Sequence, residues 1–169
     1  MAAKRRSVDE LLRTRRRVWP EAVTPVSELM VRVFRLSALV YDAATATAAS
    51  HGLSFTEFEV LVTLRGVGAP YELVPTDLYS AILISSGGLT KVLHGLQKRG
   101  LVSRPSGGGD RRSKPVRLTA KGRLAAERAM ADVLESDREL IFNGLSEAEV
   151  ALLTRLLRKL LATLEPVDA

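Results

Sequence analysis

Residues 82–102 read ILISSGGLTKVLHGLQKRGLV, with apolar side chains at Leu89, Val92, Leu93 and Leu96. That i, i+3, i+4, i+7 spacing puts all four on one face of a helix, where they bury together. The other face carries Gly87, Thr90, Lys91, His94 and Lys98, small or basic residues suited to a surface. Ser85 or Ser86 is the expected N-cap, the helix runs to Arg99, and Gly100 ends it. A short helix over Pro75 to Ala81 precedes it, with proline at an early position and Asp77 near the positive end of the dipole. Behind it, Val102 to Ser106 and Lys114 to Leu118 predict two short strands around Gly107-Gly108-Gly109-Asp110, and Pro115 suits an edge strand. Short helix, turn, helix and basic hairpin make a winged helix-turn-helix arrangement.

The same periodicity predicts helices on both sides. Val8, Leu11, Leu12, Arg15 and Trp19 fall at helical spacing, giving a short amphipathic helix over residues 7–19 that Pro20 stops. From Pro25 to about Ser50, Leu29, Val33, Leu36 and Val40 form a stripe widened by Met30 and Phe34. Ser54 with Glu57 makes a capping box for a helix that ends before Gly66-Val67-Gly68-Ala69-Pro70. Thr119 caps a long helix to about Asn143, and Ser146 with Glu149 opens the last helix, expected to reach Glu165. In that last helix Val150, Leu152, Leu153, Leu156, Leu157, Leu160, Leu161 and Leu164 cover more than one side. So wide an apolar arc at the end of a small domain needs a second surface, most simply another copy of the chain. The expected fold is therefore mainly α with a small β-hairpin wing, with long N- and C-terminal dimerisation helices. The chain divides into a basic N-terminal arm or helix (1–20), a helical dimerisation region (21–52 and 120–169) and a winged helix-turn-helix DNA-binding region (53–119).

A chain of 169 residues, 46% hydrophobic and 26% charged, fits one globular domain or one domain plus an arm. Aromatics are 5%, which favours helix-on-helix packing over a β-sandwich. With no cysteine, disulfides, thiolate metal sites and thiol nucleophiles are excluded. The longest greasy segment, Val26 to Ala49, is interrupted by Arg32, Arg35 and Asp42, so no membrane span is expected. The basic N-terminus has no apolar stretch behind it and does not read as a secretory signal, so a cytoplasmic location is expected. No G-x-S-x-G or phosphate loop occurs, and His51 and His94 lie far apart; no catalytic residue, cofactor or metal is expected.

The net charge of +6 is unevenly spread. Residues 1–20 hold seven Lys and Arg against Asp9 and Glu10, and residues 91–123 hold ten against Asp110 alone. The rest of the chain is acidic. A segregated basic segment is the footprint of polyanion binding, because neutralised phosphates release counterions. Tyr79 is the one aromatic close to that segment, which disfavours single-strand or RNA binding by stacking and favours duplex DNA. Gly87 and Gly88 permit close approach to a major groove, where Thr90, Lys91 and His94 reach base edges or phosphates. The glycine-tipped hairpin lays Arg111 or Arg112 in the adjacent minor groove.

PTDLYSAILISSGGLTKVLHGLQKRGLVSR and DRRSKPVRLTAKGR together resemble the MarR family of bacterial transcription factors. With the order of helices, the resemblance covers roughly residues 25–165. Its most specific signal is Asp110-Arg111-Arg112 followed by Leu118-Thr119-Ala120-Lys121-Gly122. It implies that Asp110 pairs with one arginine to shape the wing while the other enters the minor groove; which of Arg111 and Arg112 does which is left open. The DNA-binding set it implies is Ser86, Gly87, Gly88, Thr90, Lys91, His94, Lys98, Arg111, Arg112 and Lys114, acting in a homodimer on an inverted-repeat operator in double-stranded DNA. The chain departs from the family pattern at Val74, where relatives often carry a capping threonine, and at the Gly107-Gly108-Gly109 tip.

The added N-terminal helix with Trp19 is similar to the urate-responsive subgroup, where a ligand-contacting tryptophan sits there. Phe58-Glu59 matches that subgroup's aromatic-acidic pair, with Glu for the more usual Asp, and Val92 stands near the place of its arginine, which argues against urate itself. The resemblance implies a small-molecule effector with Trp19, Phe58, Glu59 and Arg65 as candidate contacts, and a repressor that a small aromatic or phenolic ligand relieves. The competing readings are that Trp19 is a packing anchor, that Glu59 is a surface or ion-paired carboxylate, and that the protein is a ligand-independent architectural DNA-binding module.

Overall fold

A computed structural model describes residues 6–82, 88–104 and 114–165. Two compact units divide it, residues 1–43 and 44–169. The first unit pairs α1 (Val8–Val18) with the opening turns of α2 (Pro25–Ser50), linked by a 3-10 turn at Pro20–Ala22. Ser7 and Glu10 cap α1 reciprocally, a box its own sequence carries. Leu12 is buried, and the polar margin is tied by Arg32 to Asp9 at 2.7 Å, Arg16 to Glu28, and Arg35 donating to the Arg6 carbonyl at 3.1 Å.

The second unit is built around α3 (Phe55–Gly66), which follows the expected capping box: the Glu57 amide donates to Ser54 Oγ and the Ser54 amide to Glu57 Oε2. Phe58, Glu59, Val60, Leu61 and Leu64 are all buried, so this helix is enclosed on several sides. Around it pack Leu78 of α4 (Pro75–Ala81), Leu93 and Leu96 of α5 (Leu89–Lys98), and Ala126, Ala129 and Val133 of α6 (Ala120–Phe142). Val74 precedes α4 without a side-chain cap, as its apolar side chain requires. The last helix, α7 (Glu147–Leu161), starts with the expected Ser146–Glu149 box, and hydrogen bonds from Ser146 hold the Glu149 carboxyl below its ordinary pKa. No helix among the described residues is long and apolar enough to cross a membrane.

Several boundaries differ from the sequence expectation. Helix α5 begins at Leu89 with Gly88 as N-cap, not with Ser85 or Ser86; Gly88 has φ +99°, a left-handed conformation that glycine alone adopts cheaply, and its carbonyl accepts from the Lys91 and Val92 amides. Helix α7 stops at Leu161 rather than Glu165, because Thr163 and Leu164 turn back on the Leu160 and Leu161 carbonyls with i to i+3 bonds. The strands are shorter than predicted, β2 being Val102–Ser103 and β3 Val116–Leu118, antiparallel with Val102 opposite Leu118. A third strand, β1 (Glu72–Leu73), lies on the other side of β3 and gives the order β1-β3-β2. Two residues are too few to show alternation, and the Arg117 to Glu72 ion pair at 2.7 Å that fastens this edge is a tertiary feature.

The Leu118-Thr119-x-x-Gly122 run is where β3, the end of α5 and α6 meet. Thr119 Oγ1 accepts from the Gly122 amide, capping α6, and donates to the Gly100 carbonyl at 2.8 Å. The Thr119 amide donates to the Leu101 carbonyl. The chain just after α5 thus lies against the first turn of α6 so closely that a Cβ on Gly122 would stand 1.9 Å from Leu101 O.

Candidate nucleic-acid interface

Helix α5 divides as its sequence requires. Leu93 and Leu96 are buried and Leu89 and Val92 half-buried, while Thr90, Lys91, His94 and Lys98 are exposed. At 3.6 residues per turn those four fall within an arc of about 100°. Side chains on that arc are a donor and acceptor hydroxyl, an imidazole and two ammonium groups, a set able to address base edges and phosphates together. Gly88 is exposed at the N-terminal end of the same helix. Lys114 is half-buried just before β3. Ser86, Gly87, Asp110, Arg111 and Arg112 lie outside the described residues.

Part of the basic segment is committed to the protein itself. Arg99 donates to Glu57 Oε1 at 3.2 Å and to the Gly52 carbonyl at 3.0 Å; Lys121 Nζ donates to the Arg99 carbonyl at 3.0 Å; and Arg117 holds Glu72. A count of basic residues along the sequence includes all three, and nothing local distinguishes them from Lys91 or Lys98.

The candidate effector residues fall in different settings. Phe58, Val60 and Leu61 face inward as expected, and Glu59 is itself 7% exposed, so the surface-carboxylate reading of it is corrected. Its place is set by α3 being enclosed on the side where Glu59 projects as well as on its apolar stripe. Arg65 is partly exposed, donates to Glu127 Oε1 at 2.7 Å and lies over the Tyr71 ring at 5.3 Å. The hydrogen bond to Glu127 raises its pKa above the ordinary value. Trp19, in the first unit, is 62% exposed. Among the described residues no cluster of His, Asp and Glu suits a metal ion.

Comparison with known proteins gives three kinds of match. The family model described as MarR family matches residues 51–113. The HTH-type transcriptional regulator PecS of Dickeya dadantii is 34% identical over 123 residues, 73% of this chain and 74% of the relative. Among solved structures, the MarR family regulator Sco3205 of Streptomyces coelicolor, in complex with DNA, superposes with a TM-score of 0.70 at 22% identity, over 87% of this chain and 92% of that one. The MarR family protein Rv2887 of Mycobacterium tuberculosis, in complex with salicylic acid, does so with a TM-score of 0.62 at 28% identity, over 82% and 97%.

Proposed function

The chain belongs to the MarR family of DNA-binding transcriptional regulators, and from that we propose that it acts as a homodimeric repressor of an inverted-repeat operator, relieved by a small aromatic or phenolic ligand. The observation that carries the DNA part is the sidedness of α5: one face is in the core and the other presents Thr90, Lys91, His94 and Lys98 on a single arc. Placed in a major groove, that arc meets base edges near its N-terminal end, where Ser86, Gly87 and Gly88 allow close approach, and phosphates near Lys98. The wing residues Arg111 and Arg112, shaped by Asp110 and flanked by Lys114, reach the neighbouring minor groove. Two copies related by a two-fold axis place their reading helices about one helical turn, roughly 10 bp, apart. Residues 53–119 form the DNA-reading region in this proposal, and 21–52 with 120–169 the dimerisation region.

Base reading and backbone positioning separate experimentally. Lys91→Ala is expected to change which bases are preferred within the half-site, at about 1 to 3 kcal/mol per lost contact, whereas Arg112→Ala weakens binding to many sequences alike. Selection from a randomised half-site library reads both. Equal weakening by Lys91→Ala at every site would make Lys91 a phosphate contact and remove the assignment.

The ligand part starts from Glu59, a residue 7% exposed on a helix whose Phe58, Val60, Leu61 and Leu64 are buried as well. Such a group is a polar anchor to which a phenolic hydroxyl donates, with Phe58 and Arg65 on the same helix completing the candidate contacts. A related fold carries salicylic acid, so salicylate is the first probe. Glu59→Gln is expected to raise the salicylate concentration that releases operator DNA by about tenfold, the effect of losing one hydrogen bond to a charged acceptor. Trp19 is the one tryptophan, and its fluorescence is expected to change on release. Unchanged fluorescence, together with release at the wild-type concentration in both Trp19→Phe and Glu59→Gln, would place the effector elsewhere.

A further inference from the structure

Arg99 ends α5, and its guanidinium turns back from the helix rather than outward. It donates to Glu57 Oε1 at 3.2 Å and to the Gly52 carbonyl at 3.0 Å, joining the C-terminal end of the reading helix to the corner where α2 gives way to α3. Glu57 is already fixed, because its Oε2 accepts from the Ser54 amide in the capping box and its side chain is 16% exposed. The Arg99 carbonyl is held from the other side by Lys121 of α6 at 3.0 Å. Gly95, one turn earlier on α5, faces Glu57 as well: a Cβ there would lie 3.7 Å from Glu57 Oε1. One end of α5 is therefore gripped between α3 and α6, at the opposite end of the helix from Gly88, Thr90 and Lys91.

We infer that Arg99 and Glu57 are positioning residues that fix the pitch of α5 in the groove, and that Arg99 is not a phosphate contact although it lies within the basic segment. This rests on the assignment of α5 as the reading helix. With its inner face seated on the core through Leu93 and Leu96, α5 takes its final tilt from the tie at Arg99, and a small change there displaces Thr90 and Lys91, two to three turns away, by more than the tolerance of a base-edge hydrogen bond. Sequence-specific binding then depends on the grip, and non-specific binding, carried by phosphate charge, does not.

The inference makes opposite-sign predictions to simple electrostatics. Glu57→Gln keeps the capping box, since glutamine also serves at that position, but deletes the ion pair. If only charge mattered, removing an acidic group beside the DNA would tighten binding. The positioning role predicts that operator affinity falls about tenfold while affinity for unrelated duplex and the thermal midpoint stay near wild type. Arg99→Gln is expected to lower operator affinity similarly and to leave the salt dependence of binding unchanged, whereas loss of a phosphate contact from both subunits would reduce the slope by about two. Arg99→Lys restores only part of the affinity, because one ammonium does not span both acceptors. Tighter operator binding by Glu57→Gln, or a salt slope reduced by Arg99→Gln, overturns the inference. Lys91→Ala measured in parallel separates the premises: if it changes neither base preference nor affinity, α5 is not the helix that meets DNA and both fail, and if it changes either one the grip alone is at fault.

Discussion

Gly122→Ala is expected to lower the stability of the second unit by about 3 kcal/mol, although alanine is the better helix former. Helix propensity alone predicts a gain of roughly 1 kcal/mol for this change in the first turn of a helix. Packing predicts the reverse. The new methyl would stand 1.9 Å from Leu101 O, 2.8 Å from Leu101 C and 2.9 Å from Leu118 Cδ1. Two of these are backbone atoms, and the Leu101 carbonyl is pinned by the Thr119 amide and hydroxyl, both at 3.1 Å. Relief requires α6 to move off the end of α5, which breaks the Thr119 cap and opens the core at Leu101 and Leu118. Overpacking against rigid backbone costs 1 to 3 kcal/mol or more, and at about 2 to 4 °C per kcal/mol for a domain of this size the midpoint falls by about 10 °C. A thermal melt of Gly122→Ala at or above the wild-type midpoint would contradict the junction described above.

The largest effect on assembly is expected from Leu156→Glu combined with Leu160→Glu. No residue of α7 is buried in the single chain, and Leu152, Leu153, Leu156, Leu157, Leu160 and Leu161 are each between 37% and 54% exposed. A helix this apolar, capped at its own N-terminus yet with no residue buried among the described residues, gains little by folding alone and much by meeting a copy of itself. Burying each leucine is worth roughly 1.5 to 3 kcal/mol, so placing two charges there is expected to weaken self-association by more than a hundredfold. Light scattering at micromolar concentration should show a dimer for wild type and a monomer for the double variant. The monomer should also lose operator specificity, since one reading helix addresses only half of an inverted repeat. A double variant that stays dimeric places the interface away from α7.

Features carried by short-range pattern were legible in the sequence. The Ser54–Glu57 and Ser146–Glu149 boxes and the Thr119 cap each depend on residues three apart, and all three form. The two-sided character of α5 follows from its period, which is why Thr90, Lys91, His94 and Lys98 emerge together on the surface. Features that depend on distant partners were not legible. Strand β1 exists because β3 is there to pair with it. Arg99, Arg117 and Lys121 look like free cations until Glu57, Glu72 and the Arg99 carbonyl are brought to them by the fold. By residue type alone Glu59 reads as a surface or ion-paired carboxylate, and only the enclosure of α3 makes it buried. The start of α5 shifted from the serines to Gly88 because the turn needs a positive φ, a demand that the capping preference of serine does not express.

A dimer that reads a two-fold symmetric DNA site through the exposed arc of α5 should leave two separate footprints on duplex DNA. The most direct measurement is hydroxyl-radical footprinting of wild-type protein on the DNA flanking its own gene, with a titration on an unrelated duplex of equal length at the same salt. Two protected segments are expected, with centres roughly 10 bp apart and related by an inverted repeat, and affinity at least about a thousandfold above that for the unrelated duplex. Uniform protection without half-sites, and equal affinity for both duplexes, would contradict it.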